Sequence, residues 1–278
     1  MNEQPLKRAP DGRSPLTFFS LVFALSVPIS LAGTLLEREL LPGLPASALI
    51  TPFCPLIAAC LLVYRENRAK GVIGLLKRSF DYQRIRAKIW YSPVVLLMPG
   101  VMALEYGLLR LMGVPIPGPQ FSIWTPVGLF VAFFSAALGE ELGWMGYAID
   151  PLQARLNALR ASLLLGLIWS VWHFIPLVQA GRSAEWIAWW TLETVAQRVL
   201  IVWLYNNTGR SVFAAAAYHA MLNLAWQLFP VNGSYYDPRI TALIVSLSAV
   251  IVTVRWGPKT LAQFNPGVNH ADVIGQAH

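Results

Sequence analysis

Two adjacent glutamates, Glu140 and Glu141, stand at the end of a long apolar stretch of the sequence. A charged side chain at membrane depth costs at least about 2.5 kcal/mol, so it usually faces the protein interior and has a function. Two histidines, His173 and His219, also lie within long apolar stretches. Asn223 follows His219 by four residues and shares its face if the segment is helical.

This set of two carboxylates, two imidazoles and one amide has the chemistry needed to hydrolyse a bond with an activated water molecule. A carboxylate can take a proton from water, and a neighbouring imidazole can assist. The same side-chain types are ligands of Zn²⁺, which keeps an open position for water. If a zinc ion is bound, Glu140, His173 and His219 are the expected ligands. The alternative is a polar network that only joins helices.

The composition predicts an integral membrane protein. Of the 278 residues, 56% are hydrophobic and only 13% are charged, with a mean hydropathy of +0.52, whereas soluble domains carry about 25% charged residues. The formal net charge is +7, but most basic residues lie in short segments between apolar runs. That pattern is typical of topology control. The expected partner is therefore the lipid bilayer, and no nucleic acid is expected.

The apolar runs predict an all-α polytopic membrane protein with about eight transmembrane helices, each near the length that spans a bilayer. The expected spans are about 16–36, 46–64, 89–112, 123–148, 159–179, 186–206, 211–229 and 239–256. A single transmembrane domain, 16–256, has a motif-bearing core at 123–229. A cytoplasmic N-terminal segment, 1–15, and a cytoplasmic tail, 257–278, flank it.

The loop charges predict that both termini lie in the cytoplasm of a multi-pass cell-membrane protein. The loop after the second run carries eight basic residues between Arg65 and Lys88, whereas the stretch from Gly113 to Ser122 carries no charge. Basic loops stay in the cytoplasm. The basic loop also contains apolar residues at 72–76, which favours a short helix lying on the cytoplasmic leaflet.

Depth estimates place the polar residues at a similar level. At about 1.5 Å per residue, Glu140 and His219 each lie roughly 12 Å from the cytoplasmic end of their runs, and His173 lies roughly 18–20 Å from its own. Given the uncertainty of the run ends, all three can share one level in the cytoplasmic half of the membrane. Trp169 lies one helical turn before His173 and is expected to support the site.

Three segments resemble the signature motifs of the CPBP family, the CAAX-protease and bacteriocin-processing membrane proteins also called the Abi family. The segments are Glu140-Glu141-Leu-Gly-Trp-Met145, Trp169-Ser-Val-Trp-His173 and His219-Ala-Met-Leu-Asn223. The family patterns are Glu-Glu-x-x-x-Arg, Phe-x-x-x-His and His-x-x-x-Asn. Order and spacing match, and the likeness covers roughly residues 70–228.

The resemblance implies an eight-helix intramembrane endopeptidase that cleaves a peptide or a prenylated protein near the cytoplasmic face. It implies that Glu140 and His173 activate the attacking water. It also implies that His219 and Asn223 steady the oxyanion or complete a metal site, with Glu141 as the second motif carboxylate. Whether such an enzyme binds zinc or works without a metal stays open.

Two positions depart from the family patterns. Trp169 stands where the family has Phe, which keeps a large aromatic side chain. Met145 stands where the family has Arg, so Glu141 lacks the counter-charge expected one turn away on its helix. Arg198 lies at a similar estimated depth, and we predict that its guanidinium approaches Glu141 or Glu140.

Other function classes compete with the protease. A catalytically degenerate relative, acting as an immunity or scaffold membrane protein, is favoured by Met145. A transporter that uses the acidic cluster as a proton site is disfavoured, because the sequence shows no inverted repeat.

Overall fold

The computed structural model of the chain describes residues 13–35, 39–41, 44–45, 50–120, 122–231 and 233–262. Ten α-helices lie within these residues: α1 Pro15–Leu35, α2 Cys54–Lys77, α3 Tyr91–Leu111, α4 Trp124–Gly143, α5 Ile149–Arg155, α6 Ala158–Trp172, α7 Phe174–Gln179, α8 Ala184–Asn207, α9 Val212–Leu228 and α10 Pro238–Trp256. A π-helical turn, Trp144–Ala148, joins α4 to α5. Two short strands, β1 Glu39–Leu41 and β2 Leu44–Pro45, pair antiparallel.

The prediction of an all-α membrane protein is confirmed. Among the residues described, four helical segments are long and apolar enough to cross a membrane: Pro15–Gly33, Lys88–Leu111, Trp124–Arg155 and Pro238–Trp256. Each of the eight predicted apolar runs contains one of the long helices, but the number of crossings and the side of the termini stay predictions. The predicted N-terminal segment and C-terminal tail lie mostly outside the described residues.

Two predicted run ends differ from the helices. The second run was expected to end at residue 64, but α2 continues to Lys77 through a single non-helical residue, Arg68, with φ 53° and ψ −153°. The part after Arg68 is the short helix expected in the basic loop, and residues 46–49 lie outside the description. The fourth run was expected to end at residue 148, but helical structure continues to Arg155.

The fifth run was expected to form one helix over 159–179, and that prediction is wrong. The helix breaks at His173, which joins α6 to α7 with φ −87° and ψ −6°. Pro176 explains the break, because proline has no N–H to donate to the carbonyl of residue 172 and its ring clashes with that carbonyl. The break lifts His173 out of a regular helical turn.

Close helix crossings at glycines bring the acidic end of α4 and the middle of α8 to the centre of the bundle. A Cβ atom added to Gly139 would lie 2.7 Å from the Pro52 carbonyl oxygen, and one added to Gly143 would lie 2.6 Å from the Pro55 carbonyl oxygen. On α6, a Cβ at Gly166 would lie 2.9 Å from the Cα of Val195 in α8. Small residues allow such close packing between membrane helices.

The start of α9 is fixed by a carboxylate from the loop that precedes α3. Asp81 accepts hydrogen bonds from the Ser211 hydroxyl at 2.8 Å and from the backbone N–H groups of Phe213 at 3.0 Å and Val212 at 3.3 Å. The first N–H groups of a helix have no partner inside the helix, and a carboxylate there also suits the helix dipole. This cap sets the position of the helix that carries His219.

Candidate active site

The two glutamates lie in the last turn of α4, directly before the π-helical turn. Glu140 is 5% exposed and Glu141 is fully buried. Isolated π-helical turns are frequent at functional sites, because the extra residue redirects the side chains around it. The turn contains Met145, whose side chain is fully buried.

Glu141 is held by two basic side chains from other helices. The Nη1 atom of Arg198 donates to Oε2 of Glu141 at 2.8 Å and to Oε1 at 3.0 Å, and both residues have no exposed surface. Nδ1 of His219 lies 2.9 Å from Oε1 of the same carboxylate. The predicted contact between Arg198 and Glu141 is therefore present. The competing carboxylate on α8, Glu193, accepts instead from Gln197 and Tyr236.

Trp169 contacts Glu140, Arg198 and His219. Its indole N–H donates to Oε2 of Glu140 at 2.7 Å. The guanidinium carbon of Arg198 lies 4.1 Å from the centre of the Trp169 rings, and the His219 ring centre lies 5.1 Å away. Glu140 and His219 therefore both contact this one side chain, and their convergence in one cavity stays a prediction.

His173 is held in one orientation by its own helix and by three tryptophans. Its Nδ1 lies 2.8 Å from the backbone carbonyl oxygen of Trp169, and since a carbonyl only accepts, Nδ1 carries the proton. Nε2 then keeps its lone pair. The imidazole makes edge contacts with the rings of Trp169, Trp172 and Trp190 at centroid distances of 5.5, 4.7 and 5.3 Å. It also lies within electrostatic range of Glu140.

Asn223 lies one turn beyond His219 on α9 and is half-buried. No hydrogen bond joins its amide to another side chain in the part of the chain that the structure describes. Its amide is therefore free to bind a ligand, and its role at the site stays a prediction.

The described residues contain no group of three His, Cys, Asp or Glu side chains arranged to hold a metal ion. His173 directs Nδ1 to a backbone carbonyl, and His219 directs Nδ1 to Glu141. The conditional zinc set of Glu140, His173 and His219 is not assembled as a three-ligand site in this arrangement. Metal binding stays a prediction.

Sequence reasoning missed how the tryptophans orient the site. It expected Trp169 to act as a large aromatic residue, whereas its indole N–H is the hydrogen-bond partner of Glu140. It also missed Trp190, because a contact between α8 and the break after α6 follows from tertiary packing. One signal was available, since a tryptophan in place of phenylalanine adds a single hydrogen-bond donor that a buried site must satisfy.

The sequence is similar to known CAAX prenyl endopeptidases. The family model of the Rce1-like type II CAAX prenyl endopeptidases matches residues 122–225, which contain all three motifs. CAAX prenyl protease 2 of Methanococcus maripaludis is 31% identical over 232 residues, covering 77% of this chain and 80% of the relative. Lysostaphin resistance protein A of Staphylococcus haemolyticus is 25% identical over 219 residues, and the match spans 74% of this chain but 56% of that protein.

Proposed function

Because the chain belongs to the Rce1-like family of type II CAAX prenyl endopeptidases, we propose that it hydrolyses a peptide bond in the cytoplasmic half of the cell membrane. One observation carries the proposal. Glu140 is held through Oε2 by the Trp169 indole, and Oε1 has no hydrogen bond to any described residue. A nearly buried carboxylate with one fixed and one free oxygen is suited to hold and deprotonate a water molecule.

In this mechanism Glu140 is the general base and His173 orients the water. Oε1 of Glu140 accepts one water hydrogen, and Nε2 of His173 accepts the other. The water oxygen attacks the scissile carbonyl carbon as its proton passes to Glu140. When the carbon–nitrogen bond breaks, Glu140 returns that proton to the leaving amine. Both proton transfers use the same carboxylate, so the enzyme returns to its starting state.

The remaining residues hold the side chains of the site in place and stabilise the negative charge that develops on the oxygen of the scissile carbonyl. Arg198 holds Glu141, and Glu141 fixes the His219 ring through Nδ1. Nε2 of His219 and the amide of Asn223 then lie on one face of α9, where they can donate to the oxyanion if His219 is protonated. Loss of one such donor typically costs a factor of about 10²–10³ in rate.

No step is assigned to a metal ion, because the three expected ligands do not form a site in this arrangement. A zinc ion bound to Glu140 and the two histidines would supply Lewis acidity and a more acidic water. Both Nδ1 atoms are engaged in hydrogen bonds that fix the rings, so in either route the Nε2 atoms are the ones that would contact the water molecule or the metal ion.

We propose a prenylated protein C-terminus as the substrate, since the archaeal relative is named as a CAAX prenyl protease. The test is cleavage of a fluorogenic farnesylated CAAX peptide by the purified protein in nanodiscs. The same peptide without the farnesyl group is the control. Cleavage of the farnesylated peptide only, unchanged after dialysis against a zinc chelator, supports the proposal. Cleavage that disappears on chelation and returns with Zn²⁺ contradicts the metal-free route, and no cleavage of either peptide contradicts the CAAX substrate.

A second candidate is a non-catalytic family member that acts as an immunity or scaffold membrane protein. Met145 favours it, because the family arginine is missing from that position. Arg198 argues against it, since a guanidinium from α8 contacts the carboxylate that the missing arginine would have neutralised. The cleavage assay separates the two candidates.

A further inference from the structure

A pocket of about 510 Å³ lies where α8 and α10 begin and α3 ends. Four aromatic side chains form much of its wall: Trp186, Trp189, Tyr235 and Tyr236. Trp186 precedes Arg198 by twelve residues on α8, which places the pocket about 18 Å along the helix axis from the candidate active site. The mechanism proposed above uses none of these residues.

Two carboxylates and one guanidinium line the pocket. Arg239 is bound at two points by Asp237, with Nε to Oδ1 at 3.0 Å and Nη2 to Oδ2 at 2.8 Å. These hydrogen bonds hold the pKa of Asp237 below its ordinary value, so the pair stays ionised and its charges cancel. Glu185 also lines the pocket; it forms no salt bridge with any described residue, but its charge acts on Arg239. Two carboxylates, Asp237 and Glu185, therefore share one guanidinium.

A second carboxylate lies behind the aromatic wall. Glu193 is 5% exposed and accepts hydrogen bonds from the Tyr236 hydroxyl and from the Gln197 amide. No Lys, Arg or His pairs with it within the described residues. A phenol that donates to a carboxylate gains electron density in its ring, and an electron-rich ring face attracts cations more strongly.

One pocket wall already carries a cation of the chain itself. The guanidinium carbon of Arg182 lies 4.6 Å from the centre of the Trp186 rings. Arg182 is exposed and follows Gly181, which has a positive φ of 69°. The rings of Trp189 and Tyr235 have no aromatic or cationic neighbour among the described residues. No cation of the described residues would have to leave these two rings before a ligand binds.

We propose that this pocket binds a small ammonium cation, of the kind carried by the ethanolamine or choline headgroup of a phospholipid. Tryptophan and tyrosine side chains at the ends of membrane helices lie at headgroup level, which makes a lipid the nearest source of such a group. Aromatic cages recognise alkylammonium ions through the ring faces. Glu185, which lines the pocket and forms no salt bridge with any described residue, complements the positive charge.

Native mass spectrometry of the full chain tests the proposal with three lipids of identical acyl chains: phosphatidylethanolamine, phosphatidylcholine and phosphatidylglycerol. The two ammonium lipids should bind at least about fivefold more tightly than phosphatidylglycerol, a difference typical of one or two cation–π contacts. The double variant Trp189→Ala, Tyr235→Ala should lose this preference. Trp124→Ala is the matched control, because Trp124 is 77% exposed and lies outside the pocket.

A second variant keeps the test decisive if the double variant folds poorly. Arg182→Ala removes the competing cation and should increase the affinity for the ammonium lipids at least about twofold. Calorimetry with free choline then identifies the source. If the wild type binds choline but shows no lipid preference, and the double variant does not bind choline, the pocket is an ammonium site that takes a soluble amine.

Three results overturn the proposal. One is phosphatidylglycerol bound as tightly as the ammonium lipids, together with no choline binding. Another is a headgroup preference that survives in a folded Trp189→Ala, Tyr235→Ala variant. The third is an Arg182→Ala variant that binds ammonium lipids more weakly than the wild type.

Discussion

Replacing Arg198 with methionine should destabilise the protein by about 3 kcal/mol. Removing one partner of a buried ion pair typically costs 3–5 kcal/mol, because the other charge is left uncompensated. Here both Arg198 and Glu141 are fully buried, and the guanidinium also lies over the Trp169 rings. Within the described residues, Nε and Nη2 of Arg198 have no hydrogen-bond partner. Burying such N–H groups destabilises the folded protein, so their removal offsets part of the lost ion pair, and we expect a value at the lower end of the range.

The assay is unfolding of the detergent-solubilised protein by titration with sodium dodecyl sulfate. Arg110→Met is the matched control, because Arg110 is exposed and bonds only the carbonyl oxygen of Ile116. Adding Met145→Arg to Arg198→Met should recover part of the loss, since position 145 follows Glu141 by four residues, in the π-helical turn, and a long guanidinium side chain there can approach the carboxylate. A loss of less than about 1 kcal/mol, or no recovery in the double variant, would refute the compensation of Met145 by Arg198.

Three further predictions concern the site and the topology. Trp169→Phe should lower kcat about 10–100-fold in the farnesyl-peptide assay, because a hydrogen bond to a charged group contributes about 1.5–3 kcal/mol; an unchanged kcat would show that the indole N–H does not orient Glu140. Asn223→Ala should lower kcat about 10²–10³-fold with the fold intact, and an effect on KM alone would argue against an oxyanion role. Reporter fusions should place Gly118 outside the cell and Gly71 inside, and a cytoplasmic signal at Gly118 would reverse the orientation.

The helices and the Arg198 contact could be predicted from sequence because each depends on one strong physical constraint. Apolar runs of membrane-spanning length must satisfy their backbone groups internally, so they form helices. A buried carboxylate needs a cation, and few basic side chains lie at the depth of Glu141, so the sequence predicts Arg198 as its partner.

The remaining features depend on packing or on local breaks that hydropathy does not show. The break at His173 is explained by Pro176, which is present in the sequence. Hydropathy alone does not show the break, because the apolar run continues through both residues. The π-helical turn after Glu141 and the approach of Trp190 to His173 follow from how α4, α6 and α8 fit together. The donation from Trp169 to Glu140 depends on how α4 and α6 pack against each other, which the sequence does not show.

The substitution Glu140→Gln tests the central claim most directly. The amide oxygen of glutamine can still accept the hydrogen bond from Trp169, so the fold and the site geometry should persist, but the side chain cannot take a proton from water. Single-turnover cleavage of the farnesylated CAAX peptide should fall at least about 10²–10⁴-fold, the usual range for a lost general base, while unfolding in detergent stays at the wild-type midpoint. Cleavage within about tenfold of the wild-type rate would contradict the assignment of Glu140 as the base.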